Sequence, residues 1–218
     1  MRVVAIDGPA GAGKSTIAQL LAARLGVPYL DTGAMYRAVT FAALRDGIDP
    51  RDEEGVAALA RATNIELAPG RVTVDGIDVT VEIRTARINS AVSHVAALSA
   101  VRSIMRAAQR EWVVARGGGV VEGRDIGTVV FPDATLKVYL TARPDVRARR
   151  RVAESGGDVD EIARSIAERD RLDSTRSDSP LATADDSLQV DTSDMTIEEV
   201  VDELQHLVLE KERSDVGR

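Results

Sequence analysis

A glycine-rich segment near the start of the chain carries residues whose types and spacing suit phosphate chemistry. The segment Gly8-Pro9-Ala10-Gly11-Ala12-Gly13-Lys14-Ser15 fits the pattern G-x-x-x-x-G-K-[ST] without a mismatch. In such a loop, glycines let backbone N–H groups turn towards a β-phosphate, the lysine reaches the β- and γ-phosphates, and the hydroxyl binds Mg²⁺. An apolar run precedes the loop and a helical spacing of apolar residues follows it. We therefore expect a nucleoside triphosphate, with its Mg²⁺ at Ser15, to bind at Gly8, Pro9, Ala10, Gly11, Ala12, Gly13, Lys14, Ser15 and Thr16.

This loop occurs in several classes of nucleotide-binding protein, and the rest of the chain narrows the choice. GTPases read their base with an N-K-x-D segment, which the sequence lacks. The signature segment and large helical domain of ABC-type ATPases are also missing from the sequence. A small chain with an arginine-rich segment favours phosphoryl transfer to a second substrate, because arginines neutralise the charge on the migrating group.

The elements that must position this loop alternate between strands and helices. Apolar runs predict strands at residues 3–6, 27–30, 118–122, 136–140 and 188–190. Helical spacing predicts helices at residues 14–25 and 34–46, ended by Gly26 and Gly47. A third predicted helix has one apolar face, formed by Leu98, Val101, Ile104, Met105, Ala108 and Trp112. Strands separated by helices imply parallel crossovers, so we expect an α/β sheet covered on both faces.

Other stretches depart from this alternation. Residues 59–95 contain short β-like runs around Pro69-Gly70 and Asp75-Gly76, which predict a small antiparallel meander inserted into the fold. Residues 143–180 are rich in arginine and contain Ser155-Gly156-Gly157, which we interpret as a flexible joint. The order Thr196-Ile197-Glu198-Glu199 is a capping box that opens a last helix, ending before a polar tail.

The composition excludes several classes of protein. The 218 residues carry a net charge of −7, which disfavours a nucleic-acid-binding surface. Cysteine is absent, so disulfides, thiol catalysis and zinc-thiolate sites are excluded, and we expect a cytoplasmic protein. No apolar run has the length of a membrane span. Only three of the 28 basic residues are lysines, which makes Lys14 within the loop more informative.

Three further segments give the chain a specific resemblance. They are Asp31-Thr32-Gly33-Ala34-Met35-Tyr36-Arg37, the run Gly-Arg-Asp-Ile-Gly-Thr-Val-Val-Phe-Pro-Asp-Ala at residues 123–134, and Glu168-Arg169-Asp170-Arg171-Leu172-Asp173-Ser174-Thr175-Arg176. Together with the glycine-rich loop, and in the same order over nearly the whole chain, they resemble the bacterial cytidylate (CMP/dCMP) kinase family of P-loop nucleoside monophosphate kinases. The insertion near residues 59–95 matches this family as well.

The resemblance implies a fold and a reaction. The fold would be a single kinase domain, residues 1–218, with three layers and a five-stranded parallel core sheet. Its core would comprise residues 1–33, 96–142 and 181–218, with an NMP-binding subdomain at 34–95 that contains a small antiparallel sheet and an arginine-rich lid at 143–180. The reaction would transfer a phosphoryl group from MgATP to CMP or dCMP. The resemblance also implies a monomer whose partners are small molecules, not nucleic acid or membrane.

The resemblance also assigns roles to individual residues. The monophosphate would be held by Arg37, Arg124 and Arg176. The cytosine base would be read by Thr32, Ser93, Arg102 and Asp125, since a carboxylate can accept from the exocyclic amino group of cytosine. The sugar would be contacted by Arg169 and Asp173, which at i, i+4, i+7 spacing share a helical face with Arg176. The catalytic residues would be Lys14, Arg124, Arg150 and Arg176, with Arg150 touching the ATP phosphates.

Plainer interpretations of these residues stay open at this point. A single arginine is more often solvated, Ser93 could cap a helix or a turn, and Arg169 with Asp173 could form a surface ion pair. Either Asp31 or Glu122 could orient the hydrated Mg²⁺, whereas the two histidines are not expected to be catalytic. The alternative functions are a UMP or AMP kinase, a kinase for a non-nucleotide alcohol, and a regulatory nucleotide-binding module without turnover.

Overall fold

The computed structural model describes residues 1–216, which form eight strands and eight helices. The strands are β1 (Arg2–Asp7), β2 (Tyr29–Asp31), β3 (Ile65–Ala68), β4 (Arg71–Val74), β5 (Ile77–Asp78), β6 (Gly118–Gly123), β7 (Leu136–Thr141) and β8 (Leu188–Asp191). The helices are α1 (Lys14–Leu25), α2 (Thr32–Arg45), α3 (Glu53–Ala62), α4 (Ala86–Ala97), α5 (Ser99–Val114), α6 (Pro144–Ser155), α7 (Val159–Thr175) and α8 (Ile197–Val216). A 3₁₀ turn at Glu82–Arg84 and a π-helical turn at Ile126–Val130 complete the set.

The chain divides into two compact units, of which the first holds the large sheet. This unit comprises Met1–Leu30 and the chain from Val113 onwards. The sheet has the strand order β2-β6-β1-β7-β8, in which β1 runs parallel to β6 and β7, and β7 runs parallel to β8. The α/β fold with a five-stranded parallel sheet, expected from the alternating pattern and the resemblance, is confirmed.

Aliphatic side chains build the core of this first unit. One face of the sheet packs against α1 and α8 in a cluster that includes Ile6, Leu21, Leu140 and Leu204, each fully buried. Burial of such a side chain stabilises the fold by about 1.5–3 kcal/mol relative to leaving it exposed. The predicted capping box at the start of α8 is confirmed, because Thr196 and Glu199 exchange side-chain and backbone hydrogen bonds.

The second unit, Asp31–Trp112, contains the small antiparallel sheet that the sequence predicts. The strands β3, β4 and β5 pair in that order, with Ile65 opposite Val74 and Leu67 opposite Val72. Their apolar face packs against α2, where Ala34, Ala38 and Ala42 are buried. The predicted sheet is confirmed, but the meander does not fill residues 59–95. Helices occupy both flanks, α3 before the sheet and α4 after it.

The second strand also begins later than predicted. A strand was expected over residues 27–30, but β2 covers Tyr29–Asp31. The Val27 N–H donates to the carbonyl of Ala22 at 3.0 Å and so helps to end α1, after Gly26 in the left-handed conformation. The strand therefore starts only after this amide and after Pro28, which has no N–H to donate.

Candidate active site

The glycine-rich loop lies at the carboxyl end of β1, where parallel sheets bind their ligands. Gly8 has a φ of 148°, and a Cβ there would lie 2.0 Å from the Leu140 carbonyl oxygen of β7. Only glycine therefore lets the loop leave the sheet between its neighbours. The close approach of the β7 backbone therefore explains why the sequence pattern has a glycine at position 8.

The start of α1 is built to receive an anion. Its N-cap residue, Gly13, is left-handed and supplies no side-chain acceptor, and the first turn contains no acidic residue. The first N–H groups of the helix are therefore left for a ligand, and the helix dipole favours a negative one. Lys14 is buried and donates to the Pro9 carbonyl at 2.8 Å. Burial, assisted by the charge of Arg124, lowers the pKa of Lys14 to about 7.

Ser15, Glu122 and Tyr29 form a chain of hydrogen bonds beside the loop. Ser15 donates to Glu122 Oε2 at 3.1 Å, and the Tyr29 hydroxyl donates to Glu122 Oε1. A hydroxyl and a carboxylate are oxygen ligands of the kind that Mg²⁺ prefers. Across residues 1–216, no group of three or more His, Cys, Asp or Glu side chains is placed to hold a metal ion. The donor set therefore fits a Mg²⁺ that takes its other ligands from ATP phosphates and water.

A second cluster of charges lies on the segments after β6 and at the end of α7. Arg124 donates to Asp173 Oδ2 at 2.8 Å, and Arg176 lies 3.7 Å from Asp125 Oδ1 and 4.0 Å from Asp173 Oδ1. The two carboxylates are each about 5% exposed. Burial opposes ionisation of Asp173, but the charges of Arg124 and Arg169 outweigh it and hold its pKa below the usual value. This cluster is a buried cationic group of the kind that binds a phosphate.

Arg169 is the third arginine of this cluster. Its Nε is buried and has no hydrogen-bond partner among the described residues. Burial and the nearby charge of Arg124 lower its pKa to about 10. A buried donor without a partner costs free energy, so an anionic or hydroxyl-bearing ligand here would stabilise the site.

The predicted single helical face for Arg169, Asp173 and Arg176 is wrong in one detail. Helix α7 ends at Thr175, and Arg176 follows it with extended backbone angles of −65° and 144°. Arg169 and Asp173 therefore share the helix, whereas Arg176 leaves it and donates through Nε to the Ser179 carbonyl. The surface ion-pair alternative is also wrong, since Asp173 is buried.

Arg150 and Arg147 on α6 form hydrogen bonds with loops of the same unit. Arg150 donates to the hydroxyl and the carbonyl of Thr192, at 2.9 and 2.7 Å. Arg147 donates to the Ala10 carbonyl at 3.0 Å and pairs with Asp170, which in turn accepts from the Ala10 N–H at 3.2 Å. Arg147 thus contacts the glycine-rich loop directly, and Arg150 contacts Thr192, whose hydroxyl lies 3.3 Å from the Ala12 carbonyl oxygen of the loop. Arg143 forms an exposed pair with Asp194.

The remaining predicted residues belong to the second unit. Thr32 opens α2 and is buried, and Arg37 on the same helix donates to the Ile83 carbonyl at 2.9 Å. Arg102 lies on α5 with its guanidinium 5.6 Å from the centre of the Tyr36 ring and donates to the Ala96 carbonyl at 3.1 Å. Both arginines are buried, which overturns the solvated-surface interpretation for them.

Ser93 lies inside α4 and is half-buried. It is neither the first residue of the helix nor part of a turn, so the capping interpretation is wrong. Asp31 instead caps α2: its carboxylate accepts from the Ala34 N–H at 2.9 Å and lies 3.5 Å from Arg84. Of the two carboxylates considered for Mg²⁺, Glu122 is the one that accepts from Ser15.

Sequence reasoning did not identify several residues that the structure brings to the loop. Tyr29 precedes the Asp31 motif by two positions, and Asp170 stands inside the quoted segment of α7 without an assigned role. Their partners, Glu122 and Ala10, are more than 90 positions away in the chain. The available signal was their position beside recognised motifs, and no local pattern states what they contact.

None of the helices within residues 1–216 is both long and apolar enough to cross a membrane.

The sequence matches a protein-family model and several individual relatives. The family model described as cytidylate kinase matches residues 4–210. A cytidylate kinase of Mycolicibacterium paratuberculosis (strain ATCC BAA-968 / K-10) is 49% identical over 225 residues, covering 99% of this chain and 98% of that protein. A cytidylate kinase of Limosilactobacillus fermentum (strain NBRC 3956 / LMG 18251) is 50% identical, covering 92% of both chains.

Solved structures share the fold at much lower identity. A gluconokinase from Sinorhizobium meliloti 1021 superposes with a TM-score of 0.52 at 15% identity, covering 96% of this chain and 92% of that one. A shikimate kinase from Acinetobacter baumannii in complex with shikimate gives 0.50 at 15% identity, covering 96% and 94%. These structures support the kinase fold. The sequence matches over the full length go further: this chain belongs to the cytidylate kinase family.

Proposed function

We propose that this chain transfers the γ-phosphoryl group of MgATP to CMP or dCMP, giving ADP and CDP or dCDP. The observation that carries the proposal is that one unit holds both a triphosphate loop at the start of α1 and a buried arginine–aspartate cluster around Asp125. A sensor of one nucleotide needs only the first of these. Family membership supports the same reaction.

The donor side of the proposal rests on Lys14, Ser15 and Glu122. Lys14, which lies in the loop, is proposed to neutralise β- and γ-phosphate charge, and the first amides of α1 are proposed to bind the same phosphates. Ser15 and Glu122 would hold the Mg²⁺ of MgATP, directly or through water. The ion would supply charge neutralisation between the β- and γ-phosphates. Arg150 is proposed to touch the ATP phosphates by exchanging its contacts with Thr192.

The acceptor side rests on arginines and on one carboxylate. Arg124 and Arg176, together with Arg37, are proposed to hold the monophosphate, and Arg169 with Asp173 the sugar. Asp125 is proposed to accept from the N4 amino group of cytosine, with Thr32, Ser93 and Arg102 as further base contacts. Uracil has a carbonyl oxygen in that position, so the carboxylate would face an acceptor and disfavour it.

These residues imply a direct transfer. The attacking atom is a phosphate oxygen that is already ionised at neutral pH, so no general base is needed, and positioning with charge neutralisation supplies the catalysis. Magnesium dependence, a monomeric state, a cytoplasmic location and the division into core, NMP-binding and lid segments (1–33, 96–142 and 181–218; 34–95; 143–180) stay predictions.

An acceptor panel tests the proposal. ADP production from MgATP is measured with CMP, dCMP, UMP, AMP and no acceptor, at equal concentrations. Rapid turnover confined to CMP and dCMP is expected. Turnover with UMP or AMP instead would discard the cytosine pocket, and ATP binding without any turnover would replace the kinase with a regulatory module.

A further inference from the structure

The turn that follows Asp125 is hydrogen-bonded to a residue near the N-terminus of the chain. Asp7, the last residue of β1, lies beside β6 in the sheet, with Gly123 as its register partner. Its carboxylate accepts two backbone hydrogen bonds, from Ile126 N–H to Oδ1 at 2.8 Å and from Gly127 N–H to Oδ2 at 2.7 Å. Both amides belong to the first residues of the π-helical turn Ile126–Val130.

Asp125 occupies the position from which an aspartate normally caps its own helical segment. Such a residue has non-helical backbone angles and its side chain accepts from the second or third N–H that follows. The backbone of Asp125 fits this description, with φ −143° and ψ 24°, yet its side chain makes no capping hydrogen bond. Of the two amides that it would cap, those of Gly127 and Thr128, the first is already bonded to Asp7.

The Asp125 carboxylate is consequently directed elsewhere. Its Oδ1 lies 3.7 Å from Arg176 Nη2, within the cluster assigned to the acceptor nucleotide. A second acceptor at the start of the turn therefore decides whether Asp125 serves the backbone or the ligand. We infer that Asp7 is a positioning residue for base selection: it caps the 126–130 turn in place of Asp125 and thereby keeps the Asp125 carboxylate directed at the cytosine amino group.

The cost of this arrangement supports a functional role. Asp7 is 5% exposed and lies close to a second carboxylate, and burial together with the charge of Asp125 raises its pKa to about 6 despite the two N–H donors and Lys14. A polar but uncharged acceptor would cap the turn without bringing two carboxylates together. An aspartate here is explained if both amides must be occupied fully, which one carboxylate does and one amide oxygen does not.

This inference rests on the proposed base-reading role of Asp125, and its test is Asp7→Asn. The asparagine is nearly isosteric, but it offers one oxygen and one NH₂ group to two N–H donors. We expect the ratio of kcat/KM for CMP to that for UMP to fall by about tenfold or more, because Asp125 rotates to cap its own turn. We also expect KM for CMP to rise several-fold while KM for MgATP changes much less.

Asp52→Asn provides the matched control. Asp52 caps α3 by accepting from the Gly55 N–H at 3.1 Å, and α3 carries none of the proposed site residues. Its substitution should leave the CMP to UMP ratio unchanged. An unchanged ratio in folded Asp7→Asn would overturn the inference, and so would a loss shared equally by CMP, UMP and MgATP.

Amide exchange in Asp125→Ala covers the case in which Asp7→Asn does not fold. If Asp7 caps the turn, the Ile126 and Gly127 amides stay protected from hydrogen exchange without the Asp125 carboxylate. Loss of their protection would show that Asp125 is the cap and would overturn the inference. Wild-type protein with no preference for CMP over UMP would instead remove the base-reading role, while protected amides would still identify Asp7 as the cap.

Discussion

Two segments of this chain place an aspartate, a second residue and a glycine at the start of a helical element, and they use the aspartate differently. Asp31 precedes α2 and accepts from the Ala34 N–H at 2.9 Å. Asp125 precedes the turn Ile126–Val130 and makes no such bond, and the Ile126 and Gly127 amides are bonded to Asp7 instead. The same local order of residues therefore gives a capping carboxylate in one unit and, in the other, a carboxylate that makes no capping bond and is proposed to read the base. On the inference drawn for Asp7, a distant acceptor decides between these two roles.

The start of α1 provides a third case. Gly13 offers no side-chain acceptor at the start of α1, and the first amides of this helix are proposed to bind phosphate. One helix start is thus capped by its own aspartate, one by a distant aspartate, and one is proposed to be capped by the substrate phosphates. Substitutions at the three starts should separate these uses.

The largest effect on activity is expected at the start of α1, where the substrate phosphates are proposed to bind. Lys14→Ala should lower kcat by about a thousandfold, since the lysine is proposed to neutralise charge that develops during phosphoryl transfer. Steady-state kinetics with MgATP and CMP measure the loss, and far-ultraviolet circular dichroism checks that the fold survives. Lys211→Ala, an exposed lysine on α8, is the matched control and should keep full activity. Near-normal turnover in folded Lys14→Ala would contradict the assignment.

The raised pKa of Asp7 predicts an unusual pH dependence of the free energy of unfolding. Burial and the charge of Asp125 raise the pKa of Asp7 from its ordinary value of 3.8 to about 6, against the opposing effects of Lys14 and the two N–H donors. Between these two pH values the folded state holds the proton that the unfolded state has lost. The stability contributed by this group is therefore full below about pH 4 and is lost as the pH rises through about 6, on the order of 3 kcal/mol in total.

Denaturant unfolding of wild type and Asp7→Asn across pH 4–8 measures this dependence. Other carboxylates, such as Asp173, have lowered pKa values and change stability in the opposite direction, so the difference between the two proteins is the informative quantity. Wild type should lose stability relative to the variant as the pH rises from 4 to 7. A difference that does not vary with pH would contradict the buried, raised carboxyl.

The smallest effect is expected at α2, which Asp31 caps. Asp31→Ala should lower the free energy of unfolding by about 1 kcal/mol, because the Ala34 N–H loses its acceptor. Asp31→Asn keeps an acceptor and should cost much less. Asp125→Ala removes no capping bond and should likewise cost little by this route. Equal losses in Asp31→Ala and Asp125→Ala, by thermal or denaturant unfolding, would contradict the contrast between the two aspartates.

Much of the fold could be predicted because its signals are local. The loop at residues 8–15, the strand and helix that flank it, and the capping box at Thr196 each depend on neighbours within a few positions, and the structure confirms each of them. The small antiparallel sheet was equally readable from its turns. Helix α4 was missed because β-like runs nearby dominated the interpretation of residues 59–95.

The contacts that define the candidate site could not be predicted in the same way. Asp7 and Ile126 are 119 positions apart, and Tyr29 and Glu122 are 93 positions apart. Strand register, not sequence proximity, brings each pair together. Arg176 likewise leaves α7 and donates to the Ser179 carbonyl, a contact that no helical spacing indicates.

The most direct test of the account compares base selection in wild type and Asp125→Ala. The measured quantity is the ratio of kcat/KM for CMP to kcat/KM for UMP, with MgATP saturating. We predict a high ratio in wild type that falls by about a hundredfold in the variant, because the carboxylate proposed to accept from the cytosine amino group is gone. A ratio that stays the same in the folded variant would contradict the account, since the base would then be read by other residues.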